Sequence, residues 1–415
     1  MTAAARTLTS FELPALEKSR VVTVVHPTFC DLDLVTDRAA FDALETEWND
    51  LFARSGKPTN VFQTFNFCWH WANHYLQEKD GRPSALKLRL VTARRHGRLI
   101  MVCPLVSERV RGITQVFWMG EPVSQYGDAL IDAVPDRDAI LHAAFDLLRK
   151  QSRADILRLR RVREDANVAP LMTELGAKAA DRQLAPYMDL TSAEDFPAFE
   201  QRYSSKTRKN RRRLYRRLEE KGPMQFLRLH GGEEARQLAG EAVALKAAWL
   251  KSRGLLSNAI ADRRMADLFA DLAEGKTKPA GCIVAALKSN GEIAALEVSF
   301  ACKARLAMHL IAFNLEYEKS GAGVLLLEQG LKDGYAEGLQ ACDMLAPGDD
   351  YKFDWCDKAD AVVDWVMPLT WKGKIYARAY LGFLRGHIKT ALKKLPKPLR
   401  RLMRDGAKIA TAAHK

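Results

Sequence analysis

The chain has 415 residues, enough for two or three ordinary domains, and 47% of them are hydrophobic and 28% charged. That balance excludes a disordered polypeptide and a disulfide-dense miniprotein. The formal charge of +13 is unevenly placed: residues 371–415 hold 13 Lys and Arg against one acid, Asp405, while the preceding 370 residues carry 51 bases and 50 acids. No apolar run reaches the roughly 18–20 residues that a membrane-spanning helix needs. The start, MTAAARTLTSFELPALEKSR, has no apolar stretch followed by a small-residue cleavage site, so no secretory signal is expected. Seven scattered cysteines form no C-x-x-C pair, which suits a reducing cytoplasm and points to no zinc site.

Residues 1–18 read as loosely ordered, and RVVTVVHPTF predicts a first strand. Phe41, Leu44, Trp48, Leu51 and Phe52 recur at helical spacing, and VFQTFNFCWHWANHYL predicts a second, aromatic helix. On that helix His70 and His74 stand four apart without a third ligand, so they read as core packing rather than a metal pair. ALKLRLVTARR, RLIMVCPLVSERV and ITQVFWMG, joined at His96-Gly97 and Arg111-Gly112, predict a three-strand meander. A helix over about 136–150 and the strand ADILRLRRV follow.

The second half repeats this plan. Helical spacing returns at Leu238–Trp249, and a meander follows in GCIVAALKS, EIAALEVSFACKA and RLAMHLIAFN, with turns at Asn290-Gly291 and near Arg305. A helix in VLLLEQGLKDGYAEG and the strand CDMLA close it. Gly291 follows Gly97 by 194 residues, so the pattern reads as a tandem duplication of one α/β module. The expected division is 20–195, 196–370 and a basic amphipathic helical tail over 371–415. The second module opens with a basic helix at 203–221, capped by Ser204 or Ser205 and stopped by Gly222-Pro223.

The stretch AMHLIAFNLEYEKSGAGVLLLEQGLKDGYAEG runs from a strand through Ser320-Gly321-Ala322-Gly323 into a helix. Glycines let a phosphate approach the backbone, and first-turn amides have no partner inside the helix. Together they make an anion site. A plain tight turn is the alternative reading of the same residues.

Strand meander, glycine loop, helix and strand, in that order, resemble the acetyltransferase (GNAT) fold. The chain is similar to tandem-GNAT acetyltransferases of the CelD/BcsL type, associated with cellulose and exopolysaccharide synthesis, and more distantly to Fem-type peptidyltransferases. The resemblance rests on VFQTFNFCWHW; LIMVCPLVSERVRG with GEPVSQYGDALID, where Gln125 replaces the usual Asp; SSKTRKNRRRLYRRLEEKG; and CDMLAPGDDYKFDW. It spans about residues 20–370. Glu318 stands where the family's loop has Gln or Arg, with Lys319 beside it to offset the charge. The expected fold class is therefore α/β (α+β), with two tandem GNAT-like modules, the first lacking its own glycine loop.

The resemblance implies that Lys319, Ser320, Gly321, Ala322, Gly323 and Val324 hold the pyrophosphate of acetyl-CoA or another acyl-CoA. Acyl transfer needs a base and donors for the thioester oxygen. Glu297, His309, Asp343 and Asp350 are candidate bases, and Tyr351 and Lys352 are candidate orienting groups. Each has a structural alternative: a core histidine, a loop-orienting carboxylate, a surface pair. Tyr126 and Asp128 are expected at the cleft between modules. The basic helix is expected to pair with acids of both modules or to hold phosphates.

These features predict an acyltransferase acting on a sugar or amine in envelope or exopolysaccharide synthesis. It is expected in the cytoplasm, held peripherally on an anionic inner membrane face by the tail. The alternatives are a Fem-like transferase using aminoacyl-tRNA and a non-catalytic adaptor of a membrane-bound synthase.

Overall fold

The computed structural model describes residues 30–77, 84–275 and 280–379. The strand expected in RVVTVVHPTF and the tail beyond residue 379 lie outside the described residues. The first half comprises β1 (Asp31–Val35), three helices ending with Phe65–Tyr75, β2 (Leu86–Leu88), β3 (Leu90–Arg95), β4 (Arg98–Cys103), β5 (Leu105–Val110), β6 (Ile113–Trp118) and β7 (Leu130–Ile131). The helix Arg137–Gln151, β8 (Ile156–Arg163) and β9 (Lys178–Asp189) complete it. The second half has the basic helix Ser205–Glu219, β10 (Met224–Leu229), the helices Glu233–Ser252 and Arg263–Glu274, β11 (Ala280–Ser289), β12 (Glu292–Cys302) and β13 (Arg305–Phe313). It ends with the helix Ala322–Ala336, β14 (Ala341–Asp343), the short helix Asp350–Phe353 and β15 (Lys358–Pro368).

The duplicated hairpins are present. His96-Gly97, Arg111-Gly112 and Asn290-Gly291 all have positive φ at both residues, the backbone that a tight two-residue turn requires. The last turn uses Lys303-Ala304, just before Arg305, at φ 44 and 63. In the first meander the two long strands expected each split. Pro104, which has no N–H, separates β4 from β5, and Arg89 separates β2 from β3. The pieces then join different sheets: β1-β3-β4-β7 in one, β2 and β5 in the other.

The long sheet runs β10-β11-β12-β13-β14-β9-β15-β8-β6-β5-β2. It crosses the boundary expected at 195/196. β9, the last strand of the first half, pairs with β14 of the second, and β15 inserts between β9 and β8. The two halves thus exchange their closing strands and share one continuous ladder. The main core lies on one face of the second sheet half. It joins Phe62, Phe67 and Trp71 of the first half to Phe269, Leu296 and Phe300 of the second. On the aromatic helix His74 bonds Asp271 at 2.7 Å, so this imidazole ties the two halves together.

Candidate functional site

β13 and β14 run parallel, but they pair only over Arg305–Ala307 and Ala341–Asp343. Beyond Ala307, β13 continues to Phe313, whereas the other chain turns away: the Met344 amide donates to Pro186 on β9 at 2.9 Å. The pair opens into a wedge.

Asp343, fully buried, sits at its apex. Its carboxylate accepts from the Tyr126 hydroxyl (2.9 Å to either oxygen), Arg305 Nη2 (2.7 Å) and Nε (3.0 Å), and the Leu345 amide (2.8 Å). A carboxylate so filled has no lone pair left for a substrate proton. The candidate base at 343 is therefore a loop-orienting group. Lys352 is likewise no surface residue. It is buried, and its Nζ donates to the carbonyls of Met344 (2.8 Å), Leu345 (2.9 Å) and Pro347 (2.8 Å). All three ammonium protons are used, and burial brings its pKa down to about 8. Asp343 and Lys352 together clamp Leu345, whose φ of 61 is unfavourable for a side chain bearing a Cβ. Asp350 and Tyr351 stand exposed beyond this clamp, with Tyr351 at 53%.

At the other end of the wedge, Gly321 adopts φ 69, ψ 30 and heads the helix Ala322–Ala336. A Cβ there would lie 2.7 Å from Leu214 Cδ1 of the basic helix, so both backbone and packing require glycine. The first-turn amides of Ala322 and Gly323 have no intrahelical partner. Val324 differs from expectation: its amide donates to the Gly321 carbonyl at 2.9 Å and is spent. Ser320 is buried beneath the loop. Lys319 is exposed, and its carbonyl accepts from Arg217 at 3.0 Å. Glu318 turns to Arg253, which neutralises it, so this acid does not oppose a phosphate at the loop. These residues fit a pyrophosphate. The first half has no counterpart, because Asp136 and Asp138 stand at the start of its equivalent helix.

The first half does supply the facing wall. Its own parallel pair, β6 and β8, also opens after Phe117 and Arg158, but residues 119–129 fill that opening, with the Gly127 amide donating to Arg161 at 3.2 Å. From this segment Tyr126 reaches Asp343, and the Val123 carbonyl accepts from His309 Nε2 at 2.7 Å. Asp128, expected in the cleft, instead accepts from the Ala129 and Val168 amides at 2.8 and 3.3 Å, and burial pushes its pKa up to about 6.

His309 is the extra residue of a β-bulge: Val298 pairs with Leu310 and Ser299 with Met308. Bulges re-aim side chains, and this one sets the imidazole among Phe62, Phe269 and Phe300. Desolvation there lowers its pKa to about 4. With Nε2–H committed to Val123, Nδ1 is buried, keeps its lone pair and has no hydrogen-bond partner among the described residues. Gln125 lies 3.3 Å from His309 Nε2, and its Oε1 accepts from Arg161 Nη1. Arg161 has φ 55 and sits at an irregularity where β8 meets β15. It is half-buried, and among the described residues its guanidinium makes no ion pair. Lys246, on the helix Glu233–Ser252, donates to the Ile311 carbonyl on the open stretch of β13 at 3.2 Å, and burial lowers its pKa. Arg161 and Lys246 were not singled out from sequence. Each lies in an ordinary amphipathic run, and only the tertiary fold brings them to the wedge.

Glu297 does not join this group. It lies on β12 facing the helix Ala322–Ala336, with Oε2 4.0 Å from where a Gly330 Cβ would be. Ser299 donates to its Oε1, Oε2 has no hydrogen-bond partner among the described residues, and burial raises its pKa to about 6. Phe300, whose ring packs against His309, belongs to the core on the other face of the sheet. Cys342, beside Asp343, is a free thiol whose pKa burial pushes up, the opposite of an activated nucleophile.

Residues 205–353 match the family model described as Acetyltransferase (GNAT) domain. Among solved structures, FemX aligns over 83% of this chain and 99% of its own, at 10% identity and a TM-score of 0.55. A tandem GNAT protein from the clavulanic acid biosynthesis pathway aligns over 82% of this chain and 99% of its own, at 16% identity and a TM-score of 0.47. At 10% identity the likeness to FemX is one of fold. No curated protein matches the chain. Residues 205–353 therefore carry a match to a GNAT acetyltransferase domain, set in a longer α/β chain of GNAT-like fold.

Proposed function

We propose that the second half binds an acyl-CoA, acetyl-CoA being the simplest, and that the chain transfers its acyl group to an amine or hydroxyl acceptor. The observation that carries this reading is the wedge between β13 and β14, which leads to a left-handed glycine at a helix start. Acyl-CoA would supply a thioester carbonyl open to direct attack. The Ala322 and Gly323 amides meet the pyrophosphate, with the helix dipole behind them. The acceptor enters against the wall made by residues 123–126 and Arg161. As the acyl carbon–sulfur bond breaks, His309 Nδ1 takes the proton that the attacking nitrogen or oxygen gives up, and the departing coenzyme A thiolate takes a proton back from the imidazolium to leave as the free thiol. Asp343, Lys352 and Tyr126 hold the apex open.

The acceptor is an amine or a sugar, and the resemblance to the CelD/BcsL type points to exopolysaccharide or envelope synthesis. Among the described residues no helix is long and apolar enough to cross a membrane. Attachment to an anionic inner membrane face through the tail is part of the proposal. It predicts that deleting residues 380–415 releases the protein from anionic vesicles.

Calorimetric titration with acetyl-CoA, beside Gly323→Trp, tests the donor site. A Cβ on Gly323 meets Phe313 at 3.5 Å and Ile311 at 3.8 Å, so an indole there fills the space beside β13. Binding by the native chain that the variant loses supports the reading, and absence of binding by the native chain ends it. The basic helix favours a second reading, aminoacyl transfer from tRNA, which predicts tRNA binding with a steep salt slope and none to acetyl-CoA. A non-catalytic adaptor would bind neither donor.

A further inference from the structure

The helix Ser205–Glu219 was expected to pair with acids of both halves, and among the described residues none of its Lys or Arg side chains makes an ion pair. Their contacts are to neutral groups. Arg208 donates to the Gln201 and Tyr203 carbonyls, Arg213 to Asn210 Oδ1 at 2.8 Å, and Arg217 to the Lys319 carbonyl. Arg211 is sandwiched between the rings of Tyr203 and Trp355, at 3.9 and 3.7 Å. Lys209, Arg213 and Arg217 follow one another at four-residue spacing, where like charges repel. Arg212 and Arg216 do the same. A helix built this way is short of counter-charge.

The shortage is placed beside the glycine loop. Leu214 packs on Gly321, and Arg217 holds the carbonyl two residues before it. An open groove of about 660 Å³ along the helix is lined by Lys206, Lys209, Arg213, Arg216 and Arg217, with Glu220 as its one acid, and Arg217 joins it to the loop through the Lys319 carbonyl. The loop amides can serve two phosphates. A coenzyme A donor carries a third, the 3′-phosphate monoester on its adenosine, with up to two further charges. Arg in particular matches such a group with paired donors.

We infer that this groove binds the 3′-phosphate of the acyl donor, so that the basic helix selects acyl-CoA over donors lacking that phosphate. This rests on the acyl-CoA reading above. Its test compares acetyl-CoA with acetyl-dephospho-CoA, which differs only in that phosphate, by calorimetry on the full chain. The native protein should bind acetyl-CoA at least about tenfold more tightly. In a Lys209→Ala/Arg213→Ala variant the preference should fall below about twofold, with affinity for the dephospho form unchanged. Arg212→Ala, outside this groove, is the control and keeps the preference. Both altered side chains lie on the surface, and an unchanged melting temperature certifies the fold. Equal binding of the two donors by the native chain overturns the inference while leaving the acyl-CoA reading intact. So does a variant that weakens both donors equally. Failure of the native chain to bind either donor instead removes the acyl-CoA reading itself.

Discussion

Tyr126, from the first half, donates its hydroxyl to the buried carboxylate of Asp343 in the second, at 2.9 Å to either oxygen. Arg305 and the Leu345 amide complete the shell around that carboxylate. Burial and the neighbouring negative charge keep the tyrosine's pKa well above its ordinary value, so it is a permanent donor. Removing it leaves Asp343 partly satisfied, at a cost of about 1.5–3 kcal/mol for a hydrogen bond to a charge. Asp343→Asn strips the Arg305 guanidinium of its close anion, leaving only Asp360 at 3.8 Å, and should cost more, about 3–5 kcal/mol. Denaturant unfolding of Tyr126→Phe and Asp343→Asn measures both. The predicted order is Asn worse than Phe, with acetyl-CoA affinity falling in both because the wedge depends on that apex.

The two loop glycines should separate stability from binding. Gly321→Ala puts a Cβ 2.7 Å from Leu214 at φ 69, and should lose at least about 1 kcal/mol of stability. Gly323→Ala meets only ordinary contacts and should leave the melting temperature within a degree or two of native. Thermal melts of the two variants check this, and a Gly323→Ala melt as low as that of Gly321→Ala would refute the assignment of distinct roles.

The hairpins and the glycine loop were legible because their signals are local. Asn290-Gly291 can hardly be anything but a turn, and Gly321 is read from its neighbours. What joins the halves was not legible. β9 (KAADRQLAPYMD) is polar over much of its length, and β15 partners it from Lys358 opposite Tyr187 to Val366 opposite Lys178, far apart in sequence, so neither carries a periodic pattern that names its neighbour. The site suffered from the same limit. Asp343 and Lys352 were found as residue types near the right strand. Their roles as clamp rather than base emerge only from counting the donors and carbonyls around them. The bulge that re-aims His309 leaves no mark in RLAMHLIAFN.

Glu297 should titrate as a structural liability rather than as a base. Burial raises its folded pKa to about 6 from an ordinary value near 4.5. The folded state therefore binds more protons than the unfolded one between these values. Its contribution to stability is fully present below pH 4.5 and is lost as pH rises through 6, an effect of about 2 kcal/mol. Glu297→Gln removes that dependence. Urea unfolding at pH 4.5 and 7.5 should show the native chain losing stability relative to the variant at the higher pH, with acyl transfer retained. A hundredfold loss of transfer in Glu297→Gln would restore it to the list of bases.

His309 carries the opposite sign and a different consequence. Its folded pKa is about 4 against an ordinary value near 6.5, so it is neutral from pH 5 upward and its buried Nδ1 stays unprotonated throughout the physiological range. A base of that kind gives a kcat/KM that does not fall between pH 8 and 6 once the acceptor's own ionisation is divided out, whereas an unperturbed histidine would impose a fall near 6.5. His309→Asn offers the Val123 carbonyl an amide donor but carries no basic nitrogen. Acetyl-CoA affinity in this variant should stay within about threefold of native, while kcat falls by about 10²–10⁴. A kcat near native would return the bulge to a purely structural role and shift the search for the base to an ordered water held by Arg161 and Gln125.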